Sequence, residues 1–102
     1  MKTAERLVKC DAIRVRVSNA AMAVLSPHDV IPALLRHLEG DWGEVNEQEW
    51  KENEAALQFG FRLRSAYTSD AGVKFVIITD PHGPMTTIEL PNENSQGSPV
   101  SQ

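Results

Sequence analysis

The chain has 102 residues, 41% of them hydrophobic and 24% charged, a balance that suits one folded domain and excludes a chain disordered throughout. Its formal charge of −4 excludes a uniformly basic nucleic-acid binder, but the average hides an asymmetry. Between Glu39 and Glu54 seven acids face a single base, Lys51, a local −6 that leaves +2 for the rest of the chain.

At the N-terminus, MKTAERLVKCDAIRVRV is broken by charge too often to form a signal-peptide core, and no run approaches the roughly 18 apolar residues of a membrane span. The lone Cys10 rules out an internal disulfide. With Lys9 as its only adjacent base, it reads as a small apolar residue rather than a reactive thiol. A cytoplasmic protein without membrane contact is expected.

Residues 12–18, AIRVRVS, alternate Ile13, Val15 and Val17 with Arg14, Arg16 and Ser18, the period of a half-buried strand. NAAMAVL (19–25) is ambiguous and allows a short helical turn. SPHD then opens a helix, with Ser26 as N-cap, Pro27 in the first turn and Asp29 near the positive helix end. Val30, Ile31, Leu34, Leu35 and Leu38 follow at helical spacing, and Gly40 supplies a left-handed stop. A second helix starts at Asn46, with Glu49 as its capping-box partner, and runs to Gly60. Its apolar stripe is narrow, so it should lie on the surface.

From Phe61 the period changes to two. FRLRSAYT sets Phe61, Leu63, Ser65 and Tyr67 against Arg62, Arg64, Ala66 and Thr68. After the turn SDAG, VKFVIIT (73–79) is the most apolar run and should be a central strand. DPHGP turns again into MTTIELP (85–91). The expected fold is α+β: two helices packed on a mainly antiparallel sheet of about four strands, in the order β-α-α-β-β-β. One domain over 1–91 and a disordered polar tail over 92–102 complete the reading.

Few residues suggest chemistry. His37 sits in the last turn of the first helix, at the border of its apolar face. There it either gains from the negative helix end beside Glu39 and Asp41, or acts as a general acid/base. His37 and Asp41 would suit a metal at i, i+4, but Gly40 ends the helix between them, and His28 and His82 show no ligand spacing. Neither a metal nor a cofactor is expected, since there is no phosphate-cradling glycine loop and no nucleophile elbow. Trp42 and Trp50 are surrounded by the seven acids of this stretch, which would repel a phosphate chain, so they read as anchors. Arg14 and Arg16 share one strand face, Arg62 and Arg64 another. If those strands are neighbours, four cations, joined by Lys74, would line one side of the sheet and could grip phosphates or an acidic protein surface.

RHLEGDWGE, EAALQFGFRLRSAY after an asparagine, GVKFVIIT and TTIELP occur in this order, and together residues 17–91 resemble a family of small bacterial proteins from plasmids and other mobile elements such as integron cassettes, of the "plasmid related protein" type. The resemblance matches Arg36 and His37 before GDWG, Asn53 in the second helix, and Arg62, Ser65 and Tyr67 in RLxSAY. It departs at Val76, where a tryptophan is usual, at DPHGP and at ELPNEN. It implies a shape and a habitat but no reaction.

Two functions follow as expectations. The first is a non-enzymatic accessory or interaction protein of a mobile element. It would bind a protein partner, a second copy of itself or nucleic acid, through the acidic GDWG–helix region with Asp41 and Trp42 or through the arginine face. The second is a small metal-independent ribonuclease, with His37 as general acid/base, Arg62 as phosphate clamp and Ser65, Tyr67 or Thr87 as hydroxyl donor. The loop itself is expected to fix the junction of helices and sheet, with Asp41 bonding backbone or Arg62 and with Trp42 partly buried.

Overall fold

The computed structural model describes residues 14–81 and 85–91; Cys10, His82 and the expected tail lie outside them. The elements are β1 (Val15–Val17), α1 (Asn19–Val24), α2 (Pro27–Leu38), α3 (Glu47–Phe59), β2 (Leu63–Thr68), β3 (Lys74–Asp80) and β4 (Met85–Glu89). This is the expected α+β class. The ambiguous NAAMAVL resolves into a third helix, because Ser18 Oγ accepts the Ala21 amide at 3.1 Å and so caps a turn that sequence alone left open.

The other helix starts follow their signals. At α2 the Asp29 carboxylate accepts from both the amide and the hydroxyl of Ser26, at 3.0 and 3.1 Å. At α3 Asn46 Oδ1 accepts from the Glu49 amide at 2.7 Å, and the Glu49 carboxylate accepts from the Asn46 amide at 3.2 Å. Gly60, with φ of 76°, closes α3 in the left-handed region.

The sheet runs β1-β4-β3-β2. β2, β3 and β4 form an antiparallel meander, and β1 joins β4 in parallel. β3 is interior, as its apolar composition requires. Leu63, Ser65 and Tyr67 of β2 face the helices, together with Phe75, Ile77 and Thr79 of β3, Thr86 and Ile88 of β4, and Val15 and Val17 of β1.

The buried side of α2 differs from its sequence pattern. Ala33 and His37 are buried with Val30, Leu34 and Leu38 partly covered, whereas Ile31 and Leu35 are each 55% exposed. The contact face is turned by roughly 80° from the centre of the apolar stripe. The small Ala33 lets the helix approach the sheet, and His37, one turn on, then points directly into it.

Two apolar clusters result. Ala33, Tyr67, Phe75, Ile77 and Ile88 form one, and Trp42, Ala56 and Leu63 the other. Trp50 packs against the second, so the narrow stripe of α3 does reach the core.

Candidate functional site

His37 is fully enclosed, with 0% exposure. Its Nδ1 shares a short hydrogen bond with Ser65 Oγ, and its Nε2 lies 2.8 Å from Thr79 Oγ1. Thr79 Oγ1 is in turn 2.8 Å from Thr86 Oγ1. Ser65, Thr79 and Thr86 are buried like the imidazole, so one polar row ties α2 to β2, β3 and β4. A neutral imidazole offers one N–H and one lone pair, and hydroxyls both donate and accept, so either tautomer is satisfied here. Removal from water disfavours the charged ring and lowers the His37 pKa to about 4. At neutral pH the ring is therefore uncharged. Its neighbours form a closed set, with the Trp42 indole edge-on at 5.8 Å.

The loop after α2 is held from several sides. Arg36 donates from Nε and Nη2 to the two Asp41 oxygens at 2.9 and 3.3 Å. This bond holds the Asp41 carboxyl below its ordinary pKa and raises that of Arg36. Asp41 Oδ1 also accepts the Gly43 amide at 3.1 Å, and the Tyr67 hydroxyl donates to the Asp41 carbonyl at 2.6 Å. The Arg36 guanidinium sits 4.9 Å from the centre of the Tyr67 ring. Burial pushes the Tyr67 pKa up to about 12. The expected backbone bond of Asp41 is present, but its cation is Arg36, five residues back, rather than Arg62. Trp42 is more than partly buried: its exposure is 0%, and Nε1 donates to Glu54 at 2.8 Å.

The same loop seals the outer edge of β2. Trp42 carbonyl accepts the Ala66 amide at 3.1 Å, and the Glu44 amide donates to the Ala66 carbonyl at 2.8 Å, so Gly43 makes a parallel bridge to Ala66. Two residues away, Asn53 of α3 substitutes for a strand. Its side-chain amide donates to the Arg64 carbonyl at 2.7 Å and accepts the Arg64 amide at 3.1 Å. The outward backbone groups of Arg64 and Ala66 are thus satisfied, which blunts an edge that would otherwise invite pairing. Gly43 has φ of 73°, and a Cβ there would overlap the Ala66 carbonyl and come within 2.7 Å of the Tyr67 ring. Only glycine fits the bridge.

The arginines do not form one patch. β1 and β2 are opposite edges with β4 and β3 between them, so Arg14 and Arg16 are separated from Arg62 and Arg64. Arg16 and Arg64 share a face through Thr87 and Ile78, but three strand spacings put them about 14 Å apart. Arg64 is also committed to Glu49, at 3.3 Å. Lys74 lies at the hairpin end of β3, paired in register with Thr68. The expected line of cations is replaced by two small groups.

Of the catalytic candidates, His37, Ser65 and Tyr67 come together on the helix side, but inside the core. Thr87 lies beside Arg16 on the other face. Arg62 precedes Leu63 and is exposed, out of phase with the buried side of β2. The network members missed from sequence are Thr79 and Thr86. Their signal was a polar residue on the otherwise apolar face of each of two strands, in register with each other. Among the described residues no group of three or more His, Cys, Asp or Glu side chains could hold a metal ion, and no helix is long and apolar enough to cross a membrane. Comparison with protein-family models, curated proteins and solved structures finds no match.

Proposed function

We propose that this chain is a small non-catalytic accessory protein of a bacterial mobile genetic element, working in the cytoplasm by docking a protein partner. The habitat comes from the sequence resemblance. The observation that carries the binding reading is the enclosure of His37: both ring nitrogens are engaged by core hydroxyls and no part of the ring is exposed. A general acid/base must reach the proton it moves, within hydrogen-bond distance or through one water. The Arg62 and Thr87 positions add to this, because neither converges on the imidazole.

Of the surfaces considered for docking, the acidic one is largely engaged within the chain. Asp41 pairs with Arg36, Glu49 with Arg64 and Glu47 with Lys51, while Glu54 accepts from Trp42 and Glu44 from Thr68. Arg14, Arg16 and Arg62 are exposed and no ion pair joins them to another described residue, but only Arg14 and Arg16 stand together, two residues apart at the β1 edge. That leaves the β1 side of the sheet as the favoured surface.

Purified protein incubated with total cellular RNA at low salt, beside the Arg62→Ala variant, tests the reading. Arg62 is exposed, so its replacement leaves folding intact. Intact RNA in both lanes is expected. Cleavage by the wild type that weakens in the variant would overturn the proposal in favour of the ribonuclease alternative.

A further inference from the structure

The two edges of the sheet are treated differently. The β2 edge is sealed by Asn53, Trp42 and Glu44, as described. On β1, the Arg14 carbonyl accepts the Thr86 amide at 2.7 Å and the Ser18 amide donates to the Ile88 carbonyl at 2.9 Å. Residues 14, 16 and 18 thus turn their backbone toward β4, and strand alternation turns the amides and carbonyls of Val15 and Val17 outward.

The two faces flanking this edge have distinct chemistry. On one, Arg14 and Arg16 are exposed without a carboxylate partner among the described residues. On the other lies a groove of about 380 Å³ lined mainly by Val17, Met22, Leu25, Pro27, Val30 and Ile31. Val15, Met22, Ile31 and Leu35 around it are 44–64% exposed. Isolated exposed apolar residues are ordinary, but these flank an edge that pairs with no other described strand.

Resting on the binding reading above, we propose that β1 is a docking edge for an extended segment of a partner protein in which acidic and apolar residues alternate. Added to β1, such a segment pairs its backbone with Val15 and Val17. Its apolar side chains, on the helix side, enter the groove beside Val17, and its acidic ones, on the reverse face, meet Arg14 and Arg16. Backbone pairing supplies affinity, and the alternate side chains supply selectivity. A second copy of the chain fits this edge less well. Antiparallel β1–β1 pairing centred on the strand sets Arg16 against Arg16, and directly opposed like charges are destabilising.

The test uses the full chain and two capped hexapeptides, Glu-Val-Glu-Ile-Glu-Val and Lys-Val-Lys-Ile-Lys-Val, with amide chemical shifts and binding curves as readouts. The acidic peptide should bind at least tenfold more tightly than the basic one and shift resonances of Val15, Val17, Met22 and Ile31. Arg16→Glu, at an exposed position, brings the local charge of the pair to zero and should abolish the preference. Val15→Pro removes only an outward N–H and keeps the ladder to β4, so it should weaken acidic-peptide binding at least tenfold. Equal binding of both peptides, binding of neither, or indifference to Val15→Pro would overturn the edge assignment. So would self-association of the chain that Val15→Pro abolishes. Any of these with RNA left intact removes the docking edge but not the binding reading, whereas RNA cleavage removes the binding reading itself.

Discussion

An imidazole with both nitrogens bonded to core hydroxyls is stable only while neutral, and this gives His37 a measurable signature. Its pKa falls from an ordinary 6.5 to about 4 in the folded chain because burial penalises the charged ring. Between these values the unfolded chain binds a proton that the native one does not. The contribution of His37 is therefore complete above pH 6.5, is lost progressively as pH falls toward 4, and levels off below. The total is about 3 kcal/mol, at 1.36 kcal/mol per pK unit. Denaturant unfolding at pH 7 and pH 4.5 should show the loss in wild type, and His37→Gln should remove most of that pH dependence along with part of the stability. Asp41 behaves differently although it makes more contacts. Arg36 and Asp41 are 51% and 46% exposed, and solvent screens such pairs. Asp41→Ala should cost about 1 kcal/mol, the low end for a lost hydrogen-bond partner, read as a shift in urea midpoint. The backbone bond expected of Asp41 is present, but its cation could not be chosen from the sequence. Arg36 and Arg62 were equally available until the chain reversal after Gly40 brought Arg36 back over Tyr67.

At the scale of elements, the loop from Gly40 to Glu44 acts as a short strand that needs no strand residues. Gly43→Ala forces a Cβ against the Ala66 carbonyl and the Tyr67 ring in a backbone region that disfavours it. A loss of about 3 kcal/mol is expected, with the Ala66 amide losing its hydrogen-exchange protection. Asn53→Leu keeps the volume but leaves the Arg64 amide and carbonyl without their side-chain partner. That should cost about 2–4 kcal/mol in thermal or urea unfolding. The caps and stops of the two longer helices were legible, since Asp29, Asn46, Glu49 and Gly60 act locally, whereas the Ser18 cap showed only in the structure. The orientation of α2 was not. Its apolar residues spread over a wide arc, and hydrophobicity alone favours the Leu34–Leu38 side. The sheet instead takes Ala33, for close approach, and His37, for the Ser65 and Thr79 hydroxyls supplied by strands far along the chain, the second of them backed by Thr86. Periodicity reports how apolar a face is, not what the opposite surface offers.

For the molecule as a whole, the strand count and the β2–β3–β4 meander followed from turns and alternation, but the place of β1 did not. Nothing in AIRVRVS specifies a parallel partner, and that one choice sets Arg14 and Arg16 far from Arg62 and Arg64. The charge asymmetry of the sequence is likewise reduced by folding, since several acids of the 39–54 stretch find donors in the same chain. The sheet order predicts a gradient of local stability. β3, paired on both sides, should hold the slowest-exchanging amides, and the outward Val15 and Val17 amides of the three-residue β1 the fastest among the strands. Native-state hydrogen exchange reads this directly; uniform protection across the sheet would contradict it.

In the proposed reading the histidine beside GDWG holds the fold together and performs no proton transfer. The most direct measurement is a nitrogen-15 NMR titration of the His37 imidazole in the intact protein. The account predicts a neutral ring from pH 8 down to about 5, with charging only as the pH nears 4. A midpoint near the ordinary 6.5, with shifts that respond to added RNA, would contradict it and return His37 to the list of catalytic groups.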